Sequence, residues 1–144
     1  VIATIPAPPP PAPADAAPAR RTPGTPPRLL VPLTGREGAL AALDGAHASA
    51  RETGREVHTA LLLPRTPHTP GGALRARPGE EADREATELV ALVTQRAAAA
   101  GVPARITVHR LSGLHGRRRQ RVLDRAVARL ARRLDAVPVG WPAP

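Results

Sequence analysis

The chain has 144 residues, a formal net charge of +9 and no cysteine, so it has room for one domain and excludes disulfides, thiolate metal sites and cysteine nucleophiles. All 21 basic side chains are arginine, as a GC-rich bacterial coding sequence would give, and one tryptophan stands without phenylalanine, tyrosine or methionine. No run reaches the ~18 apolar residues of a membrane span, which predicts a soluble, cytoplasmic chain.

Val1 to Pro27 carries ten of the nineteen prolines. Proline fixes φ and removes a donor, so residues 1–27 are expected to be a disordered, extended tether or linker outside the core. The domain is then residues 28–144, about 115 residues, near the usual domain size. Its core must come from leucine, valine and much alanine, which predicts marginal stability or reliance on a partner.

Leu29 to Leu33 is an apolar run between Pro27 and Gly35, the pattern of a central strand buried on both faces. Thr34 and Gly35 make the turn; Leu40, Leu43, His47 and Ala50 then mark a helix that Gly54 ends. Val57 to Leu63 is the second strand. Pro64 to Gly79 is rich in proline and glycine without a period and reads as a surface loop. From Glu80 a helical face of Ala82, Ala86, Leu89, Val90, Val93 and Ala97 appears, with Glu80, Glu81 and Asp83 at its positive end and Gly101 just beyond it. Ala104, Ile106 and Val108 alternate with Arg105, Thr107 and His109, which predicts an edge strand with one wet face.

After the loop Ser112 to Gly116, a third helix follows from Val122, Leu123, Ala126, Val127, Leu130 and Leu134. Val137 to Trp141 reads as a last strand, kept short and poorly paired by Pro138 and Pro142. The order β-α-β-α-β-α-β predicts an α/β fold, an open parallel sheet of four strands covered by helices.

These residues carry a resemblance. RLLVPLTG, a helix ending ARETG, EVHTALLLP, a long loop, a helix ending AAAAGVPA and the strand RITVHRL together resemble a universal stress protein domain over about Arg28 to Trp141. The resemblance implies a Rossmann-like, adenine-nucleotide alpha hydrolase-like fold and a stress-response context. Nucleotide-binding members place an aspartate where this chain has Thr34, and they follow the fourth strand with a glycine-rich phosphate loop, a last helix and a last strand. Here the sequence reaches Gly140 and Trp141 and stops at Pro144. The resemblance therefore implies a divergent, C-terminally truncated member with a degenerate nucleotide site and no cofactor, ATP included. It also puts the family's usual homodimer contact, made by that last strand, in doubt.

Two other settings fit the same residues. Similar domains follow the membrane spans of cation/proton antiporters and amino-acid permeases, and a proline-rich tether with a non-methionine start suits an excerpt from such a larger protein. Alternatively, the third helix binds nucleic acid or another anionic surface. Residues 102–144 hold ten arginines against two aspartates, and Arg118, Arg121, Arg125, Arg129 and Arg132 recur at three or four residues opposite the leucines. A solvated outer face explains the same stripe, and aromatics for stacking on bases are missing.

For a small ligand, the expected place is the carboxyl edge of the sheet, with Thr34 and Gly35 after the first strand and Ser112 and Gly113 after the third. Arg117 and Arg118 lie close in sequence to the second pair. The five histidines show no metal-ligand spacing, the acidic run from Glu80 to Glu88 reads as a helix start, and Ser49 and Ser112 lack a nucleophile elbow. No metal and no catalytic constellation is expected, so the chain is read as a sensing or partner-binding protein rather than an enzyme.

Overall fold

In the computed structural model, which describes residues 27–65 and 76–142, the apolar run Leu29–Leu33 is buried throughout and forms most of β1 (Arg28–Leu33). β1 lies between β2 (Val57–Pro64) and β4 (Ala136–Pro138), with β3 (Ile106–Leu111) beyond β2. Every pairing is parallel, so each crossover needs a helix. Those helices are α1 (Ala39–Thr53), α2 (Ala76–Ala100) and α3 (Arg119–Leu134), as the alternating pattern predicts.

Side chains alternate across the strands and divide the core in two. Leu29, Val31, Leu33, Leu61 and Leu63 face α1 and α2, where Leu43, Ala46, Leu89 and Val93 meet them. Leu30, Ala60 and Leu62 face the other way, under Leu123, Val127 and Leu130 of α3. Alanine fills many remaining core positions, among them Ala39, Ala46, Ala50, Ala60 and Ala97. An alanine adds far less than the roughly 1.5 to 3 kcal/mol of a buried leucine, so each leucine carries a large share of the stability.

Strand order reverses at β1. The chain moves outward through α1, β2, α2 and β3, then returns along α3 to place β4 on the other side of β1. β4 is a blunt edge. Val139 N–H donates to Leu30 O at 2.8 Å, so residues 137 and 139 turn their amides toward β1 and Pro138 faces outward with none to offer.

Several expectations are corrected. α2 begins at Ala76, not Glu80. Pro78 falls in its first turn, where a missing N–H costs nothing, and Gly79 weakens a helix by only about 1 kcal/mol. The loop reading therefore fails at residues 76–79 and also at Pro64, which belongs to β2; residues 66–75 lie outside the described residues, as do residues 1–26 of the proposed tether. The acidic residues consequently sit a turn inside α2 rather than at its positive end, and two of them pair with arginines: Asp83 with Arg110 at 3.4 Å and Glu88 with Arg36 at 3.2 Å.

Leu40 is exposed, because the buried face of α1 runs through Ala39, Leu43, Ala46, His47 and Ala50. β3 is an edge strand, as expected, but its faces differ from the predicted pattern. Val108 is 44% exposed, Ala104 precedes the strand and is exposed, and Thr107 and His109 are half-buried. β4 spans Ala136–Pro138 rather than residues 137–141, since Gly140 and Trp141 leave the sheet.

Candidate functional site

In an open parallel sheet the ligand crevice lies at the carboxyl ends of the strands, where strand order reverses. Here that point is the gap between β1 and β4. Thr34 and Gly35 leave β1 half-buried, and an added Cβ on Gly35 would stand 4.0 Å from Glu85 Oε1 of α2. The nearby carboxylate therefore comes from α2, whereas the position at the end of β1 holds a threonine.

Ser112 and Gly113 follow β3 and are exposed. β2 separates β1 from β3, so the two predicted pairs stand about 10 Å apart at the strand spacing and share an edge, not a contact. Leu114 anchors the loop by burying itself in the α3 core, and a Cβ on Gly113 would meet Val122 Cγ2 at 3.5 Å. Arg118 is the N-cap residue of α3, without a side-chain cap bond, so it flanks the helix rather than belonging to it.

Residues missed in the sequence reading lie across the switch point. Gly140 has φ 72°, and a Cβ there would sit 3.2 Å from Ala42 Cβ of α1. Next to it, Trp141 Nε1 donates to Asp124 Oδ1 of α3 at 3.0 Å, and Gln120 Nε2 donates to the same oxygen at 2.9 Å. The segment after β4 thus bridges α1 and α3 at the place where a ligand crevice is expected. The lone tryptophan preceded by glycine was the available signal, but its partner Asp124 is 17 residues away on another element.

The arginine stripe forms as predicted. Arg118, Arg121, Arg125, Arg129 and Arg132 are all exposed on the side opposite Leu123, Val127 and Leu130, and among the described residues none has a carboxylate at ion-pair distance. At 1.5 Å per residue the row is about 21 Å long.

The histidines, which appear scattered in sequence, are partly gathered by the fold. His58 Nε2 lies 2.9 Å from Thr107 Oγ1, and His109 Nε2 lies 2.8 Å from the same oxygen. A hydroxyl has one proton to donate, so with both rings neutral one Nε2 accepts it and the other donates. Burial holds His58 below its ordinary value, reinforced by the charges of His109, Arg28 and Arg105; burial, then Arg133, lowers His109. His47 is lowered by burial against the pull of Asp44. Its Nδ1 has no hydrogen-bond partner among the described residues. His115 is exposed and His68 lies outside the described residues. Among the described residues no three histidine or acidic side chains group as metal ligands. Nor is any helix there long and apolar enough to cross a membrane.

No protein-family model and no curated protein matches the sequence. A solved structure does: a protein from the universal stress protein family from Burkholderia pseudomallei aligns with a TM-score of 0.54 at 19% identity, covering 75% of this chain and 74% of that one. At this identity the likeness shows the fold, so the chain has a universal stress protein-like, Rossmann-like α/β architecture.

Proposed function

We propose that this chain is a divergent universal stress-type domain with a sensing or partner-binding role, without catalytic activity and without an adenine-nucleotide site of the family's usual kind. The observation that carries the reading is the bridge of Gly140 and Trp141 between α1 and α3 at the switch point. Phosphate binding at that edge requires free backbone amides at a helix N-terminus and residues without side chains. Among the described residues that edge holds an indole tied to Asp124 and a glycine where an added Cβ would stand 3.2 Å from Ala42 Cβ. Thr34 brings a hydroxyl and no carboxylate to the end of β1, so the residues present do not fit ATP. Titration calorimetry of the full chain with ATP tests this: no heat of binding is expected, and micromolar affinity overturns the reading.

A second reading rests on the exposed arginine row of α3. Its apolar face is buried against the sheet, so the helix meets a partner only through charge, as a phosphate backbone would be met. Nucleic-acid affinity that falls steeply with salt, and falls further in Arg121→Glu/Arg125→Glu, supports it. Absence of binding at low salt removes it.

A further inference from the structure

The two edges of the sheet differ. β4 is three residues long and turns Pro138 outward, whereas β3 offers six residues. Thr59 N–H donates to Arg105 O at 2.8 Å and Arg65 N–H to Leu111 O at 2.9 Å, which points the odd-numbered amides and carbonyls of β3 at β2. The N–H and C=O groups of Ile106, Val108 and Arg110 therefore face outward, and they have no backbone partner among the described residues. Such an edge is a template for a further strand.

We infer that a second copy of this chain supplies that strand, β3 pairing antiparallel with β3 about a two-fold axis at Val108. The register is self-complementary. Val108 meets its own copy, Ile106 meets Arg110, Thr107 meets His109 and Arg105 meets Leu111, so no two like charges stand opposite each other. An axis at Arg110 would set two guanidinium groups face to face, and one at Ile106 would leave Arg110 and Leu111 without a strand opposite them. Val108, 44% exposed in the single chain, becomes the centre of the contact.

The adjoining flank of α2 suits the same partner. The Arg110 and Asp83 ion pair marks which side of α2 borders β3, and Thr87, Val90 and Thr94 continue along that side at helical spacing. Thr87 Oγ1 donates to Asp83 O at 2.9 Å and Thr94 Oγ1 to Val90 O at 2.8 Å, which satisfies both hydroxyls internally and leaves their methyl groups to make contact. The strip of two threonine methyls and two valines beside the open strand edge carries no charge, so it fits the same strip of a second copy better than a polyanion. This inference does not depend on which ligand, if any, the switch point takes.

Sedimentation equilibrium of the full chain tests it. A dimer is expected, and Val108→Lys, which sets two ammonium groups opposite each other, should weaken association about tenfold or more while leaving the circular dichroism of the fold intact. A cysteine pair checks the register, because the natural chain has no cysteine. In Val108→Cys the two Cα atoms would stand about 5.5 Å apart, within disulfide range, whereas in Arg105→Cys they would be about 20 Å apart. Rapid oxidative cross-linking of the first and not the second is expected. A monomer at all concentrations, a dimer indifferent to Val108→Lys, or equal cross-linking of both variants overturns the inference.

Discussion

The indole N–H of Trp141 donates to Asp124 Oδ1 at 3.0 Å, tying the segment after β4 to the second turn of α3. Trp141 is the chain's one tryptophan, so the chain's tryptophan fluorescence reports on this segment and its surroundings. Trp141→Phe removes the bond and is expected to cost about 1 kcal/mol. Trp141→Ala also removes the packing against the α3 core and is expected to cost about 3 kcal/mol, read from urea unfolding followed by circular dichroism. Asp124→Ala should shift the native emission spectrum; an unchanged spectrum would mean that the bond does not form in solution.

Gly140 and Gly38 both adopt left-handed backbone, with φ 72° and 70°, but only Gly140 has a neighbour in the way. Alanine in that region costs roughly 1 to 2 kcal/mol at either position. At 140 the new Cβ must also displace Ala42, 3.2 Å away. Gly140→Ala should therefore be the more destabilising of the two in denaturant titration, and equal losses would argue against the close approach of this segment to α1.

Stability should decline in mild acid. His47, His58 and His109 are all held below their ordinary value, burial being the first cause in each. Below about pH 6.5 the unfolded chain takes up protons that the folded chain still refuses, so the unfolded state gains and stability falls as pH drops toward the lowered folded values. Above that window these groups are neutral in both states and contribute no slope. The urea midpoint should fall with acidification, and the double variant His58→Gln/His109→Gln should flatten the fall. A midpoint that rises with acidification contradicts the assignment.

Leu30 and Leu62 are fully buried beneath α3, in a core built from leucine, valine and alanine without phenylalanine, tyrosine or methionine. Either leucine changed to alanine should cost about 2 to 5 kcal/mol, a large part of the whole stability of a domain this size. Thermal unfolding measured by circular dichroism should show either a much lower midpoint or no native state. Leu40→Ala, at an exposed position of α1, should change it little.

The sheet was legible where the pattern was local. The run from Leu29 to Leu33 announces a strand buried on both faces, and the leucines and valines of α3 announce its inward side. Helix starts were less legible, because Pro78 and Gly79 read as loop residues although the first turn of a helix tolerates both. The exposure of Val108 could not be read from alternation, since alternation shows which residues share a face but not how far a neighbouring helix reaches over an edge. The candidate site was legible in part: Thr34, Gly35, Ser112 and Gly113 all lie at the carboxyl edge. The contacts of Gly140 with Ala42 and of Trp141 with Asp124 were not, and neither was the approach of His58 on β2 to Thr107 and His109 on β3, because each joins different elements.

Pro138 sets a limit on assembly. A sheet with two competent edges can add copies indefinitely in either direction, and that is how strand pairing runs on into fibres. With a proline turned outward on β4, β3 is the edge among the described strands that offers a full row of free backbone groups, and a pair joined through β3 would present two proline-bearing strands at its ends. Under the inferred β3 pairing, growth by strand addition among the described strands would stop at two copies, with Pro138 of a three-residue strand separating a closed pair from an open filament.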